Sequence, residues 1–115
     1  MKTLNWIGSS KKDLLALPKE VRKTFGFGLY LAQTGLIHEN AKPLKGFGGA
    51  SVIEIIDTDR SGTYRAVYTV KIKDTIFVLH IFQKKSKQAI KTPKEDIDLI
   101  HNRLKQADDY FKKGK

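Results

Sequence analysis

The segment 58–87 constrains the fold of this chain more than any other part of the sequence. Two runs rich in β-branched and aromatic residues, 63–72 and 76–83, flank a short polar link at residues 73–75. Runs of this composition favour β-strands, and a short polar link between two of them is typical of a hairpin. The segment therefore predicts an antiparallel β-hairpin, around which the other elements must be arranged.

Alternation along both strands assigns each side chain of the hairpin to one of two faces. The core face is expected to hold Tyr64, Ala66, Tyr68, Val70 and Ile72 of the first strand and Phe77, Leu79 and Ile81 of the second. The opposite face is expected to hold Arg65, Val67, Thr69 and Lys71, and then Val78, His80, Phe82 and Lys84. One face of the hairpin is thus core, and the other presents cations.

The rest of the chain adds helices and further strands. Apolar spacing and capping signals predict strands at residues 3–7 and 51–57, a short helix through Leu17, a longer helix from Pro18 to about Gln33, and a last helix after Thr92. Residues 36–50 have no sustained period and are predicted to form a loop. The order β-α-α-β-β-β-α indicates an α+β fold: a mainly antiparallel four-stranded sheet with an N-terminal helical hairpin and a C-terminal helix. We expect a single domain, 1–115.

Two glycines interrupt the apolar stripe of the longer N-terminal helix. Gly26 and Gly28 are poor helix formers, each costing roughly 1 kcal/mol relative to alanine. Their presence predicts either close packing against another element or a local distortion of the helix.

The net charge of +10 and the isoelectric point of about 9.8 are the strongest global properties of the chain. An excess of this size on a small domain attracts polyanions, so nucleic acid, RNA included, is the expected partner. The alternative is that the lysines form an ordinary solvated surface. An acidic protein partner is compatible with both interpretations.

Several classes of function are excluded by composition. The absence of cysteine excludes disulfides, thiolate catalysis and thiolate metal sites. His38, His80 and His101 lie far apart without the spacing of metal ligands, so neither a metal nor another cofactor is expected. Because no segment has the apolar length of a membrane span or the apolar core of a signal peptide, we expect a cytoplasmic protein without membrane contact.

Five short sequence motifs occur in the same order as in a known protein family. They are Ala41-Lys42-Pro43-Leu44-Lys45-Gly46, Val52-Ile53-Glu54-Ile55, Gly62-Thr63-Tyr64-Arg65-Ala66-Val67-Tyr68, Phe82-Gln83-Lys84-Lys85-Ser86 and Thr92-Pro93. With Leu17-Pro18 and Val21-Arg22 they extend over nearly the whole chain, which resembles the RelE/ParE toxin superfamily and, within it, the phage-related HigB-like toxins. Many relatives carry arginine directly after the Glu-Leu of the second strand, where this chain has Ile56.

The resemblance implies a RelE-like fold and the toxin of a type II toxin-antitoxin system, co-expressed with a helix-turn-helix antitoxin of the HigA kind. Its implied activity is metal-independent cleavage of mRNA on the translating ribosome, which gives a 2′,3′-cyclic phosphate. Contact with operator DNA is implied only through the antitoxin complex. A ParE-like inhibitor of DNA gyrase is one alternative. A catalytically silent homologue that only binds antitoxin and nucleic acid is another, and Ile56 keeps it open.

The cationic face of the hairpin supplies the candidate catalytic residues. Arg65 is expected to hold the scissile phosphate, because a guanidinium offers paired donors and stays charged; a surface ion pair is the alternative. His80 suits a general acid or base because histidine titrates near neutrality, although an isolated histidine on a strand is more often structural. Strand parity places Lys84 with them, whereas a twist or bulge would favour Lys85.

A second group of residues is expected to bind RNA away from the cleaved bond. Its members are Lys45, Arg60, Lys71, Phe82 and Lys87. The cations suit backbone phosphates, and the aromatic ring suits stacking on a base. For each residue alone, a solvated charge or a place in the core is the simpler interpretation.

Overall fold

Five strands and three helices are present in the computed structural model, which describes residues 1–49, 51–84 and 92–113. In chain order they are β1 (Thr3–Trp6), α1 (Ser10–Leu15), α2 (Lys19–Gln33), β2 (Ala41–Pro43), β3 (Val52–Asp59), β4 (Gly62–Thr69), β5 (Thr75–Lys84) and α3 (Lys94–Lys113). The predicted hairpin is the pair β4 and β5, at the centre of one sheet with the order β1-β5-β4-β3-β2. The predicted α+β class is confirmed.

The sheet has five strands rather than the predicted four, and it is mixed. β1 runs parallel to β5, whereas the other three neighbouring pairs are antiparallel. The additional strand, β2, lies within the segment predicted to be a loop, where Lys42 pairs with Glu54 of β3. Pro43 is tolerated there because β2 is at the edge of the sheet, where a missing N–H interrupts no ladder.

The helices cover both faces of the sheet. α1 and α2 pack on one face, where the core includes Val21, Phe25, Leu29, Ile55 and Tyr68. α3 packs on the opposite face, where the core includes Val67, Phe77, Leu79, Ile100 and Ala107. No helix in the described ranges is both long enough and apolar enough to cross a membrane.

The cationic face of the hairpin is buried around Arg65 and His80 rather than open. Arg65 is 4% exposed and His80 is 7% exposed, because α3 lies over this face of the sheet. The sequence pattern correctly separates the two faces of β4, but it does not show that a distant helix covers the second one. Arg65 and His80 therefore lie in a packed interface with a cavity at its edge.

A β-bulge in β5 interrupts the alternation of the hairpin. The register passes from the pair Val67 and His80 directly to the pair Tyr68 and Val78. Leu79 is thus the extra residue of β5, and two residues of that strand lie opposite one position of β4.

The bulge corrects the faces predicted for β5. Phe77 and Leu79 belong to the core under α3, whereas Val78 and Ile81 belong to the core under α2. The prediction that Phe77, Leu79 and Ile81 share one face is wrong, because an inserted residue reverses the alternation on one side of it.

α2 ends where the sequence predicts. After Gln33, the backbone of Gly35 adopts a left-handed φ of 85°. The N–H of Gly35 donates to the Ala32 carbonyl at 3.1 Å, and the N–H of Leu36 donates to the Leu31 carbonyl at 2.9 Å. This pair of bonds is a Schellman motif, in which glycine is preferred because it carries no Cβ.

The two glycines inside α2 have different surroundings. A Cβ added at Gly28 would lie 2.6 Å from Ile55 Cδ1, whereas a Cβ at Gly26 would meet no atom of residues 1–49, 51–84 and 92–113 within 4 Å. The close packing predicted from the sequence is therefore found at Gly28, where α2 approaches β3.

We therefore expect alanine to have different effects on stability at Gly26 and at Gly28. We expect Gly26→Ala to stabilise the protein by about 1 kcal/mol, because alanine favours the helix and the added methyl group is unopposed. Gly28→Ala should not show this gain, because its methyl group displaces the end of the Ile55 side chain. Urea denaturation measures both changes. In an Ile55→Val background, which lacks Cδ1, Gly28→Ala should stabilise the protein as Gly26→Ala does. If the two alanine substitutions have equal effects while Ile55 is present, Gly28 does not pack closely against Ile55.

Candidate active site

A cavity of about 380 Å³ opens between β2, the adjoining strands and the start of α3. It is lined by Lys42, Pro43, Leu44, Lys45, Gly46, Glu54, Arg65, Thr92 and Ile97. Three of these nine residues are cations and one is a carboxylate. The volume is typical of small-ligand sites, and the excess of positive charge favours an anionic ligand.

A buried ion pair lies within this lining and links two neighbouring strands. Arg65 of β4 donates from Nη1 to Oε2 of Glu54 on β3 at 2.7 Å, and the two side chains are 5% and 4% exposed. Glu54 pairs in register with Val67, two residues beyond Arg65, so both charged side chains project from the same face of the sheet. A charge-assisted hydrogen bond between two such buried side chains holds the guanidinium in a defined orientation.

The start of α3 contacts the same pair. The Thr92 hydroxyl accepts from Arg65 Nη1 and donates to Glu54 Oε2, each across 3.4 Å. The sequence pattern assigns Thr92 to the cap of the last helix, and the structure shows its hydroxyl directed at the ion pair. Thr92 thus connects α3 to the charged wall of the cavity.

Two exposed lysines flank the entrance to the cavity. Lys42 is on the edge strand β2, opposite Glu54 in the register, and Lys45 follows two residues after that strand. Both ammonium groups are mobile point charges on long side chains, which suit contacts to successive phosphates of a nucleic-acid backbone.

Lys84 is half-buried at the end of β5, close to the ion pair. It lies two residues beyond Phe82, which pairs with Arg65. Burial lowers the pKa of Lys84, the positive charge of Arg65 lowers it further, and Glu54 opposes both effects. The candidates Lys85 and Lys87 lie outside the described residues.

His80 is held beneath α3 and does not line the cavity. Its Nε2 lies 2.8 Å from Oδ1 of Asp96 on α3, and its ring stacks on Phe82 with centroids 4.4 Å apart. Its Nδ1 is buried and lacks a hydrogen-bond partner among the described residues. Burial lowers the pKa of His80, and the hydrogen bond and charge of Asp96 oppose this. The structure therefore places the His80 imidazole between the sheet and α3.

The lowered pKa of His80 gives the stability of the fold a defined pH dependence. Well above the pKa of about 6.5 that histidine has in the unfolded chain, His80 is neutral in both the folded and the unfolded state, and its protonation does not lower the stability. As the pH falls through that value, the unfolded chain binds a proton more readily than the folded one, so the stability decreases. We expect the urea midpoint to fall between about pH 7.5 and about pH 5.5, and to fall less in His80→Gln.

His101→Gln provides the matched control for this pH experiment. It replaces an exposed histidine of α3 and should keep the decrease seen in the natural protein. A decrease of the same size in His80→Gln would show that His80 is not the group responsible.

The other predicted RNA contacts are dispersed. Arg60 is exposed in the turn between β3 and β4, which is held by bonds from Ser61 to the Asp59 carboxylate at 2.6 and 2.7 Å. Lys71 lies beyond the far end of β4, where its Nζ is 3.1 Å from Oδ2 of Asp108 on α3. Neither residue lines the cavity, and neither does Phe82.

The cavity brings Arg65 and Lys45 together, with Lys84 close by, and it adds three polar residues that were not among the candidates from the sequence. They are Glu54, Lys42 and Thr92. A sequence signal existed for Glu54, since it is the single charged residue in the apolar run 52–56. A carboxylate in such a run needs a partner, because an unpaired buried charge is too costly. Within the described ranges, no cluster of acidic and histidine side chains could hold a metal ion.

The chain is similar to one protein family and to solved toxin structures. Residues 12–105 match the family described as phage derived protein Gp49-like (DUF891). The isolated E. coli RelE toxin is 22% identical, with 76% of this chain and 89% of that chain covered and a TM-score of 0.57. A double mutant of E. coli RelE in the free state is 18% identical, with coverages of 91% and 96% and a TM-score of 0.54.

A chain of the intact E. coli RelBE toxin-antitoxin complex is 22% identical, with 75% of this chain and 100% of that chain covered and a TM-score of 0.52. No curated protein sequence matches the chain. At these identities the solved structures establish the fold, and the predicted RelE-like architecture is confirmed.

Proposed function

The chain belongs to the phage-derived Gp49-like family and has a RelE-like fold, and from this premise we propose that it is the toxin of a type II toxin-antitoxin system. The proposed activity is endonucleolytic cleavage of mRNA on the translating ribosome without a metal ion. One observation carries the proposal: the Arg65 guanidinium is fixed by Glu54 in the wall of a cavity that two further cations flank.

Metal-free RNA cleavage makes three demands on a protein. A base accepts the proton of the 2′-hydroxyl, which attacks the neighbouring phosphorus. A cation stabilises the charge that builds up on the phosphate oxygens, and an acid protonates the departing 5′-oxygen. The products are a 2′,3′-cyclic phosphate and a 5′-hydroxyl.

Arg65 is proposed to bind the scissile phosphate. A guanidinium carries five N–H donors, so the hydrogen bond to Glu54 uses part of its capacity. Because Glu54 orients the guanidinium before RNA arrives, its donors need little reorganisation in the transition state. Charge stabilisation by a fixed donor is usually the largest contribution a protein makes to such a step.

The acid and base are proposed to come from the residues around Arg65. The Glu54 carboxylate lines the cavity and is a proton acceptor, which suits activation of the 2′-hydroxyl. Lys84, with its lowered pKa, suits protonation of the 5′-oxygen, and Lys85 is the neighbouring alternative. His80 is proposed to act indirectly, by holding α3 through Asp96.

The remaining cations are proposed to bind the RNA backbone. Lys45, with Lys42 beside it, contacts the phosphates next to the cleaved bond. Arg60, Lys71 and Lys87 are proposed contacts to more distant phosphates of mRNA or ribosomal RNA. For Lys71 this requires exchange of its bond with Asp108, which is half-exposed and easily exchanged.

The proposed regulatory partner is a helix-turn-helix antitoxin of the HigA kind. The net charge of +10 and the cation-flanked cavity fit an antitoxin that lays an acidic segment across the basic surface. Operator DNA is proposed to bind only through this complex.

A catalytically silent homologue is the second candidate, and Ile56 is the observation in its favour. Ile56 pairs directly with Arg65 in the register of β3 and β4. An apolar residue there leaves Arg65 without the neighbouring arginine that many relatives of the resembled family carry. In that case the protein binds antitoxin and nucleic acid without cutting.

The experiment that tests the proposal is primer extension on a reporter mRNA in a cell-free translation reaction. Discrete cuts that require ribosomes, leave 2′,3′-cyclic phosphate ends and vanish in a Lys84→Ala/Lys85→Ala variant are expected. Intact mRNA with folded protein would refute the endonuclease. Intact mRNA together with gyrase-dependent DNA breaks would favour the ParE-like activity, and the absence of both with no growth defect would favour the silent homologue.

A further inference from the structure

A stacked aromatic pair links the loop after β2 to α3. The rings of Phe47 and His101 lie with centroids 4.1 Å apart and an interplanar angle of 24°. Phe47 is half-buried and packs against the core under α3, whereas His101 is exposed. Because Phe47 covers one side of the imidazole, the exposed surface of His101 lies mainly on its other side.

This aromatic pair borders the cavity. Phe47 directly follows Gly46, which lines the cavity, and His101 lies four residues after Ile97, which also lines it. Four residues correspond to one turn of α3, or about 6 Å along its axis, on the same side of the helix. The His101 ring therefore lies about one helical turn beyond the edge of the cavity that Ile97 forms.

The backbone around Phe47 is shaped by glycine. Gly46 and Gly48 have φ values of 98° and 70°, which side chains with a Cβ rarely adopt. A Cβ at either position would meet no atom of the described residues within 4 Å, which leaves room for a ligand beside these two glycines.

We propose that Phe47 and His101 form a nucleobase-binding subsite that stacks the base next to the scissile phosphate and contributes to the choice of cleavage position. The inference rests on the proposed function, because it takes RNA as the ligand of the cavity. Stacking suits single-stranded RNA, whose bases are open on both faces, and it needs flat rings at the edge of a cation-lined groove. Phe47 packs on one face of the His101 imidazole, and the base stacks on the opposite face.

The other Phe and His ring pairs among the described residues do not fit this role. Phe82 stacks on His80, which is 7% exposed beneath α3 and offers no open ring face. Phe27 meets His38 edge to face, at 80°, and α2 lies on the opposite side of the sheet from the cavity. The base-stacking role predicted for Phe82 is therefore better assigned to Phe47 and His101.

A direct binding experiment tests the subsite without requiring cleavage. The probe is a 2′-O-methyl pentanucleotide with 2-aminopurine at its centre, which cannot be cut because it lacks the 2′-hydroxyl. Stacking quenches 2-aminopurine fluorescence, so saturable quenching by the natural protein is expected. Phe47→Leu and His101→Ala should each weaken binding on the order of tenfold, and His101→Phe should retain it.

Phe27→Leu is the matched control, since it makes the same substitution in the Phe and His pair on the opposite face. It should bind the probe like the natural protein. When the central nucleotide of the probe is abasic, Phe47→Leu and the natural protein should bind it with the same affinity, measured by fluorescence anisotropy. Equal quenching by the natural protein, Phe47→Leu and His101→Ala would overturn the subsite.

Primer extension with the same variants separates this inference from the proposed function. We expect Phe47→Leu to redistribute the cuts among positions of the reporter mRNA. If the natural protein cleaves mRNA but the quenching is unchanged in Phe47→Leu and His101→Ala, the subsite is refuted and the endonuclease activity stands. Quenching that depends on both residues in a protein that never cuts would refute the endonuclease and leave a nucleobase site.

Discussion

Replacing Arg65 by lysine is expected to lower ribosome-dependent mRNA cleavage about a hundredfold while the protein stays folded. Lysine keeps a positive charge beside Glu54, which protects the buried ion pair, but it loses the planar fork that binds two phosphate oxygens at once. Loss of one fixed donor to a developing charge typically costs a factor of about 10² to 10³ in rate. Quantitative primer extension at several protein concentrations measures the change.

Arg22→Lys is the matched control for this experiment. It makes the same substitution at a half-buried arginine of α2, on the other side of the sheet from the cavity. This variant should cut at close to the natural rate. If Arg65→Lys also cuts at that rate, the guanidinium does not hold the reacting phosphate.

Glu54→Gln is expected to have opposite effects on stability with and without its arginine partner. In the natural protein it weakens the bond to Arg65 and should destabilise the fold. Arg65→Met leaves the Glu54 carboxylate, 4% exposed, without that partner, and should cost about 3–5 kcal/mol. Adding Glu54→Gln to Arg65→Met removes the isolated charge and should recover a large part of this loss. Urea denaturation near neutral pH measures all four proteins of the cycle.

The half-exposed pair of Lys71 and Asp108 is the control for this cycle. Its side chains are 52% and 28% exposed, so solvent screens the interaction and replaces it when one partner is removed. Lys71→Met and Asp108→Asn should each change the stability by less than about 1 kcal/mol, without a reversal of sign in the double variant. A Glu54→Gln effect that is the same in both Arg65 backgrounds would mean that the two charges are not coupled.

Local patterns in the sequence predicted the elements because each depends on residues close together in the chain. The β4 and β5 hairpin follows from two β-rich runs around a polar link, and the end of α2 follows from Gly35. The close approach at Gly28 was also foreseeable, since a glycine inside a helix needs a packing reason. The ordered sequence motifs indicated the RelE-like fold and made Arg65 a candidate for phosphate binding.

The candidate site was predictable only in part. The sequence selected Arg65, Lys45 and Lys84, which the structure places in or beside one cavity. It also selected His80 as part of an open face, and the structure places this residue beneath α3. The exposure of a strand face depends on whether a distant helix packs on it, and the periodicity of the strand carries no information about that.

By itself, the sequence determined the class of the fold, the central hairpin, the extents of the main helices and a basic surface suited to polyanions, because these depend on local periodicity and total charge. The tertiary structure alone decided the parallel pairing of β1 with β5, the edge strand β2 and the bulge at Leu79. It also decided that Glu54 orients Arg65 and that Phe47 stacks on His101. Each of these features is a contact between segments that are distant in the chain. Such contacts form because buried backbone groups, charges and apolar surface must find partners, and a local sequence pattern does not show which distant segment supplies the partner.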